Sequence, residues 1–373
     1  MTILHIMGMH STKFGGIERF LLQLMKNNPN DKFYFAYNSF PDSSEFTNKI
    51  KEKGGVIIVL NTTGFNIIKN LFLFTRLCFK LKPNVIHFHF EFSYLIYAPI
   101  AKILGIKRII KTQHSCLTNK NGEQITSMKQ FSIRYKICTL YGLLYRVFDY
   151  IVFVSEYTKK QFINIYGNSP HLKQVYLGTS PIPTLTSSEK EIVRQELKIA
   201  DGQIVITTTL FAQWIKGVDV LINAIPLIKN KNIVVVIIGM DEQLPFTKEM
   251  HTLSKSLGIA HYFRWTGITD HVYRYLSITD IYVQPSRTEA LSIAACEAMS
   301  LGVPIVATNI GGLPELTTQL FEVGDSKALA TILNELISNP NKRKRLGQKS
   351  FEEFNYKFKE ERGIEEYSKL YSL

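Results

Sequence analysis

The chain has 373 residues, too many for one ordinary domain and suited to two of roughly 150–200 residues each. With 45% hydrophobic and 20% charged residues and no repeat or low-complexity stretch, it is excluded from the disordered, fibrous and solenoid classes. The net charge of +13 is uneven: residues 1–185 hold 23 Lys and Arg against 9 Asp and Glu, residues 186–373 hold 21 against 22, so an anionic partner belongs to the first half.

The N-terminus, MTILHIMGMHS, lacks a basic leader and a long apolar core, so no signal peptide is read there. Short apolar runs then alternate with amphipathic stretches, the pattern of a parallel sheet wrapped by helices. Strands are predicted at 3–7, 33–37, 56–60, 85–89, 108–113 and 150–155. Gly15 and Gly16 fall at the first strand–helix junction. A glycine pair there is either a plain loop or a place where backbone comes close to a phosphate. His87, His89 and Glu91 alternate along the fourth strand and so share a face. That spacing can serve a metal, but no Asp-x-Asp motif is present to hold a divalent ion on a diphosphate, and no metal is predicted. His87, His89, Glu91 and Lys102 interrupt the apolar stretch 85–104. Nowhere is there a run of about 20 uncharged apolar residues, so no transmembrane helix is predicted. Cys78, Cys116, Cys138 and Cys296 are scattered, which suits reduced thiols of a cytosolic protein.

Two segments, 66–82 (NIIKNLFLFTRLCFKLK) and 127–150 (SMKQFSIRYKICTLYGLLYRVFDY), interleave basic residues with aliphatic and aromatic ones. Each reads as a helix packed on the sheet or as a helix lying on an anionic membrane with its lysines at headgroup level. Charge alone also suits nucleic acid, but the apolar interleaving points to a membrane surface instead. The expected location is cytoplasmic and peripheral on the inner face of the plasma membrane, with no nucleic-acid partner.

Residues 178–188 (GTSPIPTLTSS) read as a linker. The alternation restarts with strands predicted at 204–210, 233–239, 262–266, 281–285 and 303–308, and the tail 341–373 is charged and helical. The predicted domains are 1–180 and 189–350, with 351–373 a helix packing back on the first. Two consecutive doubly wound domains imply a cleft, with ligands at the carboxyl ends of the strands.

The most informative run is 284–315, QPSRTEALSIAACEAMSLGVPIVATNIGGLPE. A strand ends at Pro285, and a helix of about ten residues is predicted to begin near Leu291 and to stop at Gly302 and Pro304. Glu289 precedes that helix and Glu297 lies a little over two turns into it. The helix start offers backbone N–H groups and a positive dipole end to a diphosphate. Glu297 can then accept hydrogen bonds from a ribose diol, and Glu289 from the hydroxyls of a sugar. The plainer alternative makes Glu289 a helix-start charge and Glu297 a solvated face residue.

The run resembles the signature of the retaining glycosyltransferases of family 4, which have the GT-B fold. IKGVD (215–219) before VLINAI, FRWTGIT (263–269) and TDIYVQPS (279–286) resemble that family in the same order, as do FGGIERF (14–20), PNVIHFH (83–89), KTQHS (111–115) and DYIVFVSEYTKKQF (149–162). The resemblance implies an α/β GT-B fold, two Rossmann-like doubly wound domains facing a central cleft. It implies no cofactor and no metal, a UDP- or GDP-type nucleotide sugar as donor, and a saccharide or polyprenyl-linked glycan as acceptor in surface polysaccharide synthesis. Lys216, Glu289 and His114 become the implied catalytic residues. Gly15, Gly16, Lys216, Gly267, Glu289, Leu291, Ser292 and Glu297 become the implied donor-binding set. Lys216 would offset charge on the departing diphosphate, and the leaving phosphate would help deprotonate the acceptor, so that the configuration is retained.

The chain departs from the family in four places. No arginine stands between Thr207 and Lys216; Arg287 is left open as a substitute, though nothing in the sequence places it there. Ala290 replaces a glycine, Gly239-Met240-Asp241 lacks a second glycine, and the loop after Glu315 is short. These departures motivate an alternative, a non-catalytic nucleotide-sugar-binding partner subunit of another transferase.

Overall fold

The computed structural model describes the chain except residues 12–14, 61–66, 91–93, 119–123, 126–143, 212 and 373. Cys138, Glu91, Phe14 and most of the basic segment 127–150 lie outside the described residues. Two compact units are present: Met1–Leu177 with Glu360–Leu373, and Gly178–Lys359.

The first unit runs β1 (Thr2–Met7), α1 (Gly16–Asn27), β2 (Lys32–Tyr37), α2 (Ser44–Glu52), β3 (Val56–Val59), α3 (Ile67–Leu81), β4 (Val85–His89), α4 (Tyr94–Ile103), β5 (Arg108–Gln113), β6 (Tyr150–Phe153), α5 (Glu156–Tyr166) and β7 (Leu172–Gln174). Its strands form a seven-stranded parallel sheet in the order β3-β2-β1-β4-β5-β6-β7. Strand alternation sorts the side chains. Leu4, Ile6, Ile86 and Phe88 join Phe74, Leu77, Tyr97 and Ala101 of α3 and α4 in one apolar layer. His5, His87 and His89 point to the other face.

The second unit runs α6 (Ser187–Glu196), β8 (Ile204–Thr209), α7 (Val218–Ala224), β9 (Ile233–Ile238), α8 (Pro245–Ser256), β10 (Phe263–Trp265), α9 (Val272–Leu276), β11 (Ile281–Gln284), α10 (Ile293–Ser300), β12 (Ile305–Thr308), β13 (Leu320–Phe321), α11 (Ser326–Ser338) and α12 (Pro340–Glu353). Its parallel sheet has the order β10-β9-β8-β11-β12-β13. β9 shows why a parallel strand reads as an unbroken apolar run: Ile233, Val235 and Ile237 enter one cluster and Val234, Val236 and Ile238 another. After a π-helical turn, Phe354–Phe358, the chain enters α13 (Glu360–Tyr371), which packs on α1 of the first unit. Both units are therefore Rossmann-like α/β domains.

Where prediction and structure differ, the cause is local. α6 begins inside the predicted linker because Thr186 and Glu189 form a capping box, the Glu189 N–H donating to Thr186 Oγ1 and the Thr186 N–H to the Glu189 carboxylate. The strand predicted at 303–308 shortens to Ile305–Thr308, since Pro304 has no N–H for the ladder. The helix expected from Leu291 is eight residues long and starts at Ile293, with Ser292 as its cap. β7 and β13 are too short to show a period. Among the described residues no helix is long and apolar enough to cross a membrane.

Candidate functional site

In the second sheet the strand order reverses between β8 and β11, the place where open α/β sheets bind ligands. The loop after β8 carries Lys216 and the loop after β11 carries Glu289. Their side chains meet: Lys216 Nζ donates to Glu289 Oε2 at 2.8 Å, both mostly buried. Gly217 makes that approach possible. It sits at φ +68°, and a Cβ there would lie 2.0 Å from the Pro285 carbonyl oxygen. Arg287 straps the same turn. Its backbone N–H donates to Ile215 O at 2.8 Å, its guanidinium forks onto Asp219 at 2.8 and 2.6 Å, and it stacks on Trp214 with 4.3 Å to the ring centre.

Behind the pair, Gln284 anchors the loop. Tyr282 OH and Ser292 Oγ both donate to its carbonyl, and its amide donates to Ser286 Oγ. Ser292 Oγ also accepts the Ala295 N–H and so fixes the first turn of α10. Leu291 is buried beside it, and Glu297 is buried within the helix. Burial, and after it the carboxylates of Glu297 and Glu289, push the Tyr282 phenol up. The Gly312 N–H donates to the Glu289 carbonyl at 3.0 Å and pins that loop from the glycine pair of the motif. Gly267, at φ +65°, follows β10, and its carbonyl accepts the Gly239 N–H.

The first unit places Gly15, Gly16 and His114 at the carboxyl ends of its strands. α1 starts at Gly16 with Gly15 as cap. Gly15 is extended, at φ −99°, a conformation open to any residue, so what it supplies is the lack of a side chain. Its N–H is already taken by the buried Glu18 carboxylate at 3.0 Å, and Ser11 Oγ donates to the other Glu18 oxygen. His114 ends a row of imidazoles: its Nε2 lies 2.9 Å from His89 Nδ1, and His89 Nε2 lies 3.0 Å from His5 Nδ1. His87 bonds Tyr371 OH at 2.6 Å and Thr112 Oγ1 at 2.7 Å. Burial pushes His114 down to about 3, with Lys111 adding to it, so its ring is neutral at ordinary pH. Phe90 stacks on His114, with ring centres 4.1 Å apart, from a φ of +56°. A bulky residue in that region is strained, and such strain gathers at functional sites.

The alternation noted in the sequence joins His87 and His89 to His5, whose ring nitrogens lie within 4.8 Å of one another. A cation there would have to displace the His5–His89 bond.

Two family descriptions tile the chain: Glycosyltransferase Family 4 over residues 14–181 and Glycosyl transferases group 1 over residues 189–353. The chain belongs to glycosyltransferase family 4. It is 24% identical over 273 residues to the GDP-mannose-dependent alpha-(1-6)-phosphatidylinositol monomannoside mannosyltransferase of Mycolicibacterium smegmatis, covering 68% of this chain and 66% of the relative. The chain thus spans just under two thirds of that relative's length. Its fold matches HepE of Anabaena in complex with UDP and glucose, with a TM-score of 0.80, 20% identity, and 99% and 98% of the two chains covered. It matches a glycosyltransferase from Rickettsia africae with a TM-score of 0.83, 17% identity, and 99% and 97% covered. The solved relatives are GT-B structures, and two Rossmann-like units are what that fold requires.

Within this family frame, Arg287 is the main revision. The sequence left it open as a substitute for the absent diphosphate arginine, yet its fork is committed to Asp219. Gly217, Asp219, Gln284 and Glu18 were not singled out. The K-G-x-D spacing was the available signal for Gly217 and Asp219. Nothing in the sequence marked His5 as the partner of His89.

Proposed function

We propose that the chain is a retaining, metal-independent glycosyltransferase that moves a sugar from a UDP- or GDP-type donor to a saccharide or lipid-linked glycan in surface polysaccharide or glycolipid synthesis. The observation that carries this is the Lys216–Glu289 pair at the β8/β11 reversal, set at the start of the helix that buries Glu297. On donor binding the Lys216 ammonium contacts the diphosphate and offsets the charge that builds as it leaves. The first turn of α10 adds its amides, Glu297 accepts from the ribose diol, and Glu289 accepts from the sugar. In the first unit, neutral His114 exchanges a hydrogen bond with a sugar hydroxyl, oriented by His89. The leaving phosphate oxygen takes the proton of the attacking hydroxyl on the same face. Glu289 is not needed as a nucleophile. The relatives' names, with GDP-mannose and UDP-glucose among their ligands and a phosphatidylinositol mannoside among their acceptors, make these the first compounds to try.

A second reading, a non-catalytic nucleotide-sugar-binding partner subunit, is favoured by the commitment of Arg287 to Asp219, which leaves no arginine in the loop for the diphosphate. Nucleotide release from a donor panel, with and without EDTA, separates the two. The lead reading expects one donor to be consumed in EDTA, with Lys216→Ala slower by about 10²–10³-fold. Tight nucleotide binding without turnover of any donor would favour the second reading, and loss of turnover in EDTA would overturn metal independence.

A further inference from the structure

The row of imidazoles in the first unit has two unlike ends. Its two bonds, His114 Nε2 to His89 Nδ1 and His89 Nε2 to His5 Nδ1, use one nitrogen of His114, both of His89 and one of His5. The nitrogen left over at the inner end is His5 Nε2. Its ring is wholly buried against Phe33 and Phe35, and the atom has no hydrogen-bond partner among the described residues. The nitrogen left over at the outer end is Nδ1 of His114, a residue only partly buried.

A neutral imidazole carries one N–H, so the direction of one N–H···N bond dictates the next. Burial keeps these rings neutral: His5 and His114 are each held down to about 3, and His89 well below its ordinary 6.5. The row then has two states. In the first, each ring is protonated on Nδ1, both bonds point outward, and His114 presents Nδ1–H. In the second, each ring is protonated on Nε2, both bonds point inward, and His114 presents a bare Nδ1. The second state buries the His5 Nε2–H with no acceptor, whereas the first leaves only a lone pair there. An orphaned buried N–H is the rarer defect of the two. His87, beside the row, applies no bias. Both its nitrogens bond hydroxyls, of Tyr371 and Thr112, and a hydroxyl can give or accept.

We infer that the closed inner end of the row fixes His114 as an Nδ1–H donor, with His89 and His5 as positioning residues. The group that His114 meets on the sugar must therefore accept: a hydroxyl, carbonyl or carboxylate oxygen serves and an ammonium does not. This consequence rests on the reading of His114 as a sugar contact, but the tautomer itself is measured without any sugar.

The test is long-range 1H–15N correlation spectroscopy at neutral pH on the full chain labelled with 15N-histidine, which tells a protonated ring nitrogen from a bare one. The three rings are assigned by the signals lost in His5→Asn, His89→Gln and His114→Gln. Wild type is expected to show Nδ1–H and a bare Nε2 on His114 and on His89. An Nε2–H on His114, or equal populations of the two tautomers, would overturn the inference. His5→Asp puts an acceptor oxygen where Nδ1 stands, so His89 should then carry a proton on Nε2. His5→Asn, of the same size, keeps a donor there and should leave His89 as in wild type. A His5 that serves packing alone predicts the same His89 spectrum from both variants, and that result would overturn its positioning role. Should His5→Asp fail to fold by circular dichroism, the wild-type spectrum alone decides. Saturating UDP-glucose or GDP-mannose, whichever binds, is then expected to shift the His114 Nδ1–H signal without moving its proton. Transfer of the proton to Nε2 would overturn the inference. A bound donor that leaves His114 unshifted would instead sink the sugar contact, with the tautomer standing.

Discussion

Acid should unfold the first unit before the second, and His5 sets the scale. Its ring is wholly buried, stacked on Phe35 at 5.0 Å and Phe33 at 6.0 Å, facing His87, His89 and the edge of Tyr371. Its Nδ1 meets His89, while its Nε2 has no hydrogen-bond partner among the described residues. Burial therefore holds it down to about 3 from an ordinary 6.5. Between those values the unfolded chain binds a proton that the folded chain refuses, so stability is complete above about pH 6.5 and is lost as the pH falls through that window. At about pH 5 the gap below 6.5 is about 1.5 units, a loss of about 2 kcal/mol for His5 alone. His87 and His89 are lowered by burial in the same direction and add to it. None of His251, His261 and His271 of the second unit is buried. Both tryptophans, Trp214 and Trp265, lie in the second unit, so their emission follows that unit. Amide exchange of β1, β4 and β5 follows the first. Exchange protection of those strands should fall between about pH 7 and about pH 5, after correction for the intrinsic rate, while the urea midpoint by emission moves less. His5→Asn keeps a polar group where Nδ1 stands and removes the titration, so it should recover about 2 kcal/mol of the pH-dependent loss. A first unit equally stable at both pH values, or a slope unchanged in His5→Asn, would refute the reasoning.

Three substitutions test other parts of the account. Gly217→Ala forces a Cβ to within 2.0 Å of the Pro285 carbonyl at a positive φ. It should destabilise the second unit by about 3 kcal/mol, read from the tryptophan unfolding midpoint. Arg287→Lys loses the fork on Asp219 and the stack on Trp214; about 1–2 kcal/mol of stability and a shift in Trp214 emission are expected, with nucleotide affinity changed only through the displaced Lys216 turn. Gly363→Ala brings a Cβ to 2.4 Å from the Tyr176 carbonyl, so α13 should loosen, with faster proteolysis of the tail and faster exchange at His87.

Much of the fold was legible because parallel strands buried on both faces print themselves as apolar runs, as IVVVII does at β9. The strand–loop–helix around Glu289 and Glu297 was legible because an apolar strand precedes it and a stop glycine and a proline end it, while its start at Ile293, two residues past the expected one, is set by the Ser292 cap. What was not legible depends on chain segments meeting from afar. The Arg287–Asp219 fork joins residues 68 apart in sequence, and His5 meets His89 across 84. No local periodicity encodes such pairs. α13 likewise reads as an ordinary charged amphipathic helix, and only its position reveals that Tyr367 and Tyr371 close the polar network over Thr112 and His87. The strained φ of Phe90 has no sequence signal either, since aromatic residues seldom take it.

Calorimetric titration of UDP, GDP, UDP-glucose and GDP-mannose into wild type, Glu297→Ala and Glu289→Ala examines the proposed donor geometry itself. Loss of the Glu297 carboxylate should weaken the bare nucleoside diphosphate and its sugar alike, by about 10- to 100-fold for a charged hydrogen bond. Loss of the Glu289 carboxylate should weaken the nucleotide sugar and leave the bare nucleotide nearly unchanged. Bare nucleotide that binds Glu297→Ala as tightly as wild type would contradict a ribose held by that acid, and with it the placement of the donor at the start of α10.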